Sequence, residues 1–146
     1  MKSSMFLSVF CVAFAVAVAT NIPVKDCGSK LATIESIDIT PCPSIPCPFK
    51  KSTSVNVTID FTAKSDITSA KSSVHGYIAG LPVPFPLKDN DACHKMKCPI
   101  ENGEKISYKN SVDVLSEYPT IEVMVKWEIV ADDDIVCFTV PVKIVD

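Results

Sequence analysis

Along most of this chain apolar and polar residues alternate with a period of two, the mark of strands that bury one face, and no comparable helical period appears. The cleanest run is Thr53 to Phe61, which sets Val55, Val57, Ile59 and Phe61 against Ser54, Asn56, Thr58 and Asp60. Ile121, Val123, Val125, Trp127 and Ile129 alternate in the same way with Glu122, Met124, Lys126 and Glu128. Phe138, Val140, Val142 and Ile144 share one side of a strand from Ile135 to Val145. Weaker signals predict strands over Leu31 to Thr40, over Ser69 to Ala79 and, after the hairpin pair Asn102-Gly103, over Lys105 to Val114. About seven short strands separated by turn residues predict an all-β chain folded as an immunoglobulin-like β-sandwich.

Proline breaks the alternation in two places. Pro41, Pro43, Pro46 and Pro48 crowd around Cys42 and Cys47, which reads as a stapled loop and not as an element. Leu81 to Pro86 is Leu-Pro-Val-Pro-Phe-Pro, whose prolines supply no backbone N–H and so cannot pair inside a sheet. Its other residues are apolar and gain nothing from facing water. It reads as a stiff apolar lip beside an apolar cavity between the two sheets. A ligand that buried roughly 300–400 Å² of apolar area there would gain about 8–10 kcal/mol before association costs.

Composition places the chain outside the cytosol. Residues 1–19 carry one charge, Lys2, then an apolar run from Met5 that ends in Ala17-Val18-Ala19, the small-residue pattern that signal peptidase reads. The run is short for a hydrocarbon core of about 30 Å, so a cleaved signal peptide is expected, leaving residues 20–146 as one domain. Losing Lys2 leaves 13 lysines against 17 acids, a net charge of −4, and the chain has no arginine. Nucleic-acid binding has no electrostatic support.

Cys11 leaves with the signal, and Cys27, Cys42, Cys47, Cys93, Cys98 and Cys137 remain, an even count that reads as a disulfide framework. Six cysteines allow many pairings. The C-x4-C spacing of Cys42/Cys47 and of Cys93/Cys98 narrows the choice and leaves Cys27 and Cys137 to join the ends of the domain. Asn56-Val57-Thr58 is a glycosylation sequon on the polar face of its strand.

Little of the chain invites catalysis. His75 lies in a strand and His94 inside the Cys93–Cys98 loop, neither in a recognisable nucleophile context. Oxidation of the paired thiols outweighs a zinc site, the acids at Asp132, Asp133 and Asp134 lack the spacing of a calcium loop, and cofactor motifs are absent. The expectation is a binding protein without metal or cofactor, not an enzyme. Composition alone makes Val114, Tyr118, Trp127 and Phe138 sandwich core, and the lip makes them candidate cavity lining.

Ordered motifs then give a resemblance that covers nearly the whole mature chain. They are Lys-Asp-Cys-Gly-Ser at 25–29, Pro-Cys-Pro-Ser-Ile-Pro-Cys at 41–47, Ser-Val-Asn-Val-Thr at 54–58, Val-His-Gly at 74–76 and the lip at 81–86. Cys-Pro-Ile at 98–100, Ser-Glu-Tyr-Pro at 116–119, Val-Lys-Trp-Glu at 125–128 and Val-Pro-Val-Lys-Ile-Val at 140–145 complete them. The chain resembles the Niemann-Pick type C2 proteins of the ML (lipid-recognition) superfamily, and residues 92–99 are similar to the group 2 mite allergens, which points to an arthropod-type branch.

The resemblance implies a monomer whose two sheets splay to hold one sterol or fatty acyl chain, and it supports the pairings Cys27–Cys137, Cys42–Cys47 and Cys93–Cys98. Pocket and mouth residues of the family match Phe85, Val114, Tyr118 and Pro119, with Trp127 and Phe138 deeper or adjacent, and Phe85 and Tyr118 as gates. It also implies transient membrane contact and handover to a membrane protein similar to Niemann-Pick type C1. The setting is extracellular or, after delivery, the endosome and lysosome lumen. Two places depart from the family: the partner-facing surface just before the lip, here Tyr77, Ala79 and Leu81, and the basic position after the first cysteine of the second small loop, here His94. The alternative is an extracellular carrier of fatty acids, semiochemicals or microbial lipids in chemical communication or innate immunity.

Overall fold

The structure, a computed structural model, describes residues 21–146, so the signal peptide assigned to residues 1–19 lies outside the described residues. Nine strands run in chain order: β1 (Lys25–Asp26), β2 (Ala32–Thr40), β3 (Cys47–Lys50), β4 (Thr53–Ala63), β5 (Lys71–Ile78), β6 (Leu81–Pro84), β7 (Lys105–Val114), β8 (Glu122–Val130) and β9 (Asp134–Val145). One sheet has the order β1-β9-β8-β5-β6, with β3 also on β9, and the other is β2-β4-β7. The two face each other as an immunoglobulin-like sandwich. No described helix is long and apolar enough to cross a membrane.

Period two does what the sequence predicts where a strand has one wet face. Val55, Val57, Ile59 and Phe61 of β4 are buried, as are Val123, Val125, Trp127 and Ile129 of β8 and Phe138, Val140, Val142 and Ile144 of β9. These rows form the core between the sheets. Disulfides join Cys27 to Cys137, Cys42 to Cys47 and Cys93 to Cys98.

The expectation that residues 41–48 hold no element is corrected at their end. Cys47 and Pro48 open β3, which pairs in parallel with β9, Cys47 opposite Val142 and Phe49 opposite Ile144. At a sheet margin a proline breaks no essential ladder bond, so its presence does not forbid a strand.

The lip is also a strand, on the free edge of β5. Its register sets Ile78 opposite Leu81, Gly76 opposite Val83 and His75 opposite Pro84, and the Phe85 N–H donates to the Val74 carbonyl at 2.9 Å. Antiparallel pairs alternate between bonded and non-bonded, so this phase puts Pro82 and Pro84 at non-bonded positions where no N–H is needed. Ala79 and Gly80 turn the hairpin, both with positive φ, 51° and 76°, as a tight two-residue turn requires.

Candidate lipid-binding site

Leu81, Val83 and Phe85 share the phase of Val74 and Gly76, and so project toward the inter-sheet side. The three-stranded sheet does not extend over this margin. Leu81 therefore stays 68 % exposed and Val83 40 %, while Phe85 packs against the core. Its ring sits against Gly76, where an added Cβ would overlap Phe85 Cε2 and approach Val123 Cγ2 at 2.9 Å. Tyr118 comes from the connection after β7, which turns through a Tyr118 N–H bond to the Leu115 carbonyl at 3.1 Å. The rings of Phe85 and Tyr118 meet edge to face, with centroids 5.1 Å apart and planes at 85°.

Behind this pair lies a cavity of about 20 Å³, enough for roughly one water molecule. Ligand pockets run to about 300–1,000 Å³. In this structure the sheets are closed on one another, and a sterol would have to part them. Phe85, Val114, Tyr118, Trp127 and Phe138 all line the cavity, together with inward residues of β2, β4, β8 and β9. Pro119 is exposed and is not brought to the lining. Asp113 is the one charged residue there, and it is otherwise engaged: Ser54 Oγ donates to Oδ1 at 2.5 Å and Lys88 Nζ lies 3.3 Å from Oδ2. Those partners, the Ser54 hydroxyl first, hold its pKa down. Burial, with the charges of Glu117 and Asp113, pushes the Tyr118 phenol up, so it is neutral at the mouth.

Gly76, which the sequence did not single out as a site residue, seats Phe85 at the mouth, and Ser72, Tyr108 and Asn110 form a polar cluster outside the cavity lining. Ser72 on β5 and Tyr108 on β7 join the two sheets by a hydrogen bond of 2.6 Å, and Asn110 Nδ2 donates to the same Tyr108 oxygen at 2.8 Å. The signal for Ser72 was there: it shares the inward phase of Ala70 and Val74, and a polar side chain in that phase needs a partner.

The histidines lie elsewhere. His94 is exposed between Asp89, at 2.8 Å, and Asp91, at 3.3 Å, and the hydrogen bond that its ring donates to Asp89, with both charges, raises its pKa. His75 lies 3.3 Å from Ser73 Oγ outside the cavity. Glu128 and Asp134 carboxylates and the Cys137 sulfur lie within 4.8 Å of one another, but that sulfur is held in a disulfide.

Comparison with known proteins places this geometry. The model of the ML domain matches residues 21–144. The chain is 37% identical over 133 residues to NPC intracellular cholesterol transporter 2 of Bos taurus, covering 89% of each. It is 41% identical over 124 residues to the ecdysteroid-regulated 16 kDa protein of Manduca sexta, covering 82% of this chain and 86% of that one. The crystal structure of a Niemann-Pick type C2 protein from the Japanese carpenter ant superposes with a TM-score of 0.78 at 27% identity, over 85% of this chain and all of that one. With the fold and nearly the full length in common, this chain belongs to the ML-domain family and is a relative of the Niemann-Pick type C2 proteins.

Proposed function

We propose that this protein carries one sterol between its two sheets, with the ligand entering between Phe85 and Tyr118 and lying against Val114, Trp127 and Phe138. The observation that carries this is the apolar lining closed by one aromatic pair, where burial alone supplies affinity. The name of the bovine relative, an intracellular cholesterol transporter, favours the same ligand class. Leu81, Val83 and Leu115, exposed near the mouth, would touch a membrane while the sterol crosses, or a membrane protein similar to Niemann-Pick type C1. Pro119, exposed beside Tyr118, belongs to this outer rim. Asn56 is exposed on the outer face of β4 and would carry an N-glycan, seen as a mass loss on enzymatic deglycosylation that Asn56→Gln abolishes.

The test is native mass spectrometry of the secreted protein from its own source, followed by extraction of the adduct. One sterol per chain is expected, with Phe85→Ala and Val114→Phe losing sterol while the domain stays folded. Retained sterol in both variants would remove the assigned pocket. A second reading, an extracellular carrier of fatty acids or other slender lipids, is favoured by the small cavity, which needs less opening for a single acyl chain. Acyl adducts in place of sterol would select it.

A further inference from the structure

On the outer face of the larger sheet three side chains converge that the lipid site does not use. Trp127 and Phe138 face inward as a register pair, so their neighbours Glu128 on β8 and Cys137 on β9, also opposite one another, face outward. Asp134 joins them through a bulge. The register shifts between Ile129 and Val130 and sets Asp134 opposite Val130, whereas unshifted it would keep the inward phase of Val136 and Phe138. The two carboxylates and the Cys137 sulfur lie within 4.8 Å of one another, with both acids half-buried and Cys137 fully buried. Lys126 partners Glu128 at 3.5 Å, and Lys30 is held by Asp133 at 3.4 Å, so the charge beside the sulfur stays net negative.

That sulfur belongs to the bridge that ties β1 to β9. Such a bridge opens by thiol–disulfide exchange. Cys27 is exposed, so a small thiolate can reach its sulfur, while Cys137 is closed off by burial. The attack forms a mixed disulfide on Cys27 and breaks the S–S bond, whose electron pair leaves on Cys137 Sγ. A second thiolate then frees Cys27 and departs as the oxidised small disulfide. The rate falls as the leaving thiol becomes harder to ionise, and burial beside two carboxylates makes it so. The Cys93–Cys98 bridge is placed in the opposite way: both its cysteines are half-buried, and its loop contains His94, Lys95 and Lys97.

We infer that Glu128 and Asp134 guard the Cys27–Cys137 bridge, their carboxylates opposing the thiolate that reduction must leave on Cys137, so that this bridge outlasts Cys93–Cys98 among small thiols. The inference stands apart from the identity of the lipid.

The experiment treats the mature secreted protein with dithiothreitol at pH 8, alkylates samples over time, and reads the labelled cysteines by peptide mass spectrometry. Burial and then Glu128 push the Asp134 carboxyl up to about 6, so at pH 8 it is ionised. Cys93–Cys98 should open first. Glu128→Gln and Asp134→Asn should each speed the opening of Cys27–Cys137 by about ten-fold and leave the Cys93–Cys98 rate unchanged. Asp134→Asn removes a half-buried like charge and so stabilises the fold at this pH, which means that faster opening in it does not come from a looser domain. An unaccelerated Cys27–Cys137 in Asp134→Asn overturns the inference. So does a wild-type opening rate that climbs with sub-denaturing urea, which would assign the slow opening to unfolding instead. If Glu128→Gln does not fold, Asp134→Asn and the urea series decide.

Discussion

The Phe85 ring rests on the bare Cα of Gly76, so close that a methyl group at position 76 would overlap Cε2 of the ring. Gly76 is an ordinary strand position without a left-handed backbone, so alanine would meet no conformational objection, only the ring and Val123. Gly76→Ala should therefore displace Phe85 and loosen its contact with Tyr118. We expect a faster sterol off-rate in stopped-flow transfer to vesicles, with about 1–3 kcal/mol lost from unfolding free energy as the overpacked edge adjusts. An unchanged off-rate would show that Phe85 does not control passage.

The Cys27–Cys137 bridge closes a separation of 110 residues and ties β1 to the middle of β9. Replacing both cysteines by serine frees the unfolded chain from that constraint. Chemical denaturation should show a loss of roughly 2–5 kcal/mol, while the two short loops of Cys42–Cys47 and Cys93–Cys98 remain closed. A loss well under 1 kcal/mol would mean that β1 contributes little beyond its few backbone bonds.

Acid should stabilise this fold over part of the carboxyl range. Burial first, and then Glu128 as hydrogen-bond partner and like charge, push the Asp134 carboxyl up to about 6, with Lys126 opposing and Asp133 adding to the rise. A carboxyl raised in the folded state binds its proton more tightly there than when unfolded. Stability therefore falls as pH rises from about 4 to about 6, and the whole penalty is present above that. His94, raised by Asp89 and Asp91, works in the same sense, its contribution present below its ordinary value of 6.5 and lost as pH rises through its higher folded value. Asp113 and Glu104, held low by their partners, oppose this only when pH falls below their ordinary range. Thermal melts should give a higher Tm at pH 5 than at pH 7.5, and Asp134→Asn should narrow that difference by raising the neutral-pH value. A wild-type Tm that rises steadily to pH 7.5 would contradict it.

What the sequence disclosed follows from how each strand meets water. β4 and β8 have one wet face each, so Val55 to Phe61 and Val123 to Ile129 print their alternation plainly. β3 is four residues long and begins Cys-Pro, and β6 has two prolines, so neither carries a period long enough to see; both exist because a neighbour on one side supplies the ladder. Beyond the family resemblance, which named Phe85 and Tyr118 as gates, the mouth was legible only as the apolar composition of Leu81 to Pro86. That Phe85 lies on Gly76 and against Tyr118 depends on the register of β5 with β6 and on the β7–β8 turn, which no local pattern encodes. The size of the cavity is a small difference between large packed volumes, and so it is not written in any one residue.

The hydrogen bond between Ser72 and Tyr108 gives the sandwich an uneven mechanical compliance. Apolar faces adhere without direction, so they can be drawn apart a little at a time, each increment losing only dispersion and apolar burial that an incoming lipid restores. A buried hydroxyl pair is directional and resists separation. On the proposed entry route the sheets are thus tied at the Ser72–Tyr108 end and free at the Phe85–Tyr118 end, so the sandwich would yield as a wedge, widest between Phe85 and Tyr118.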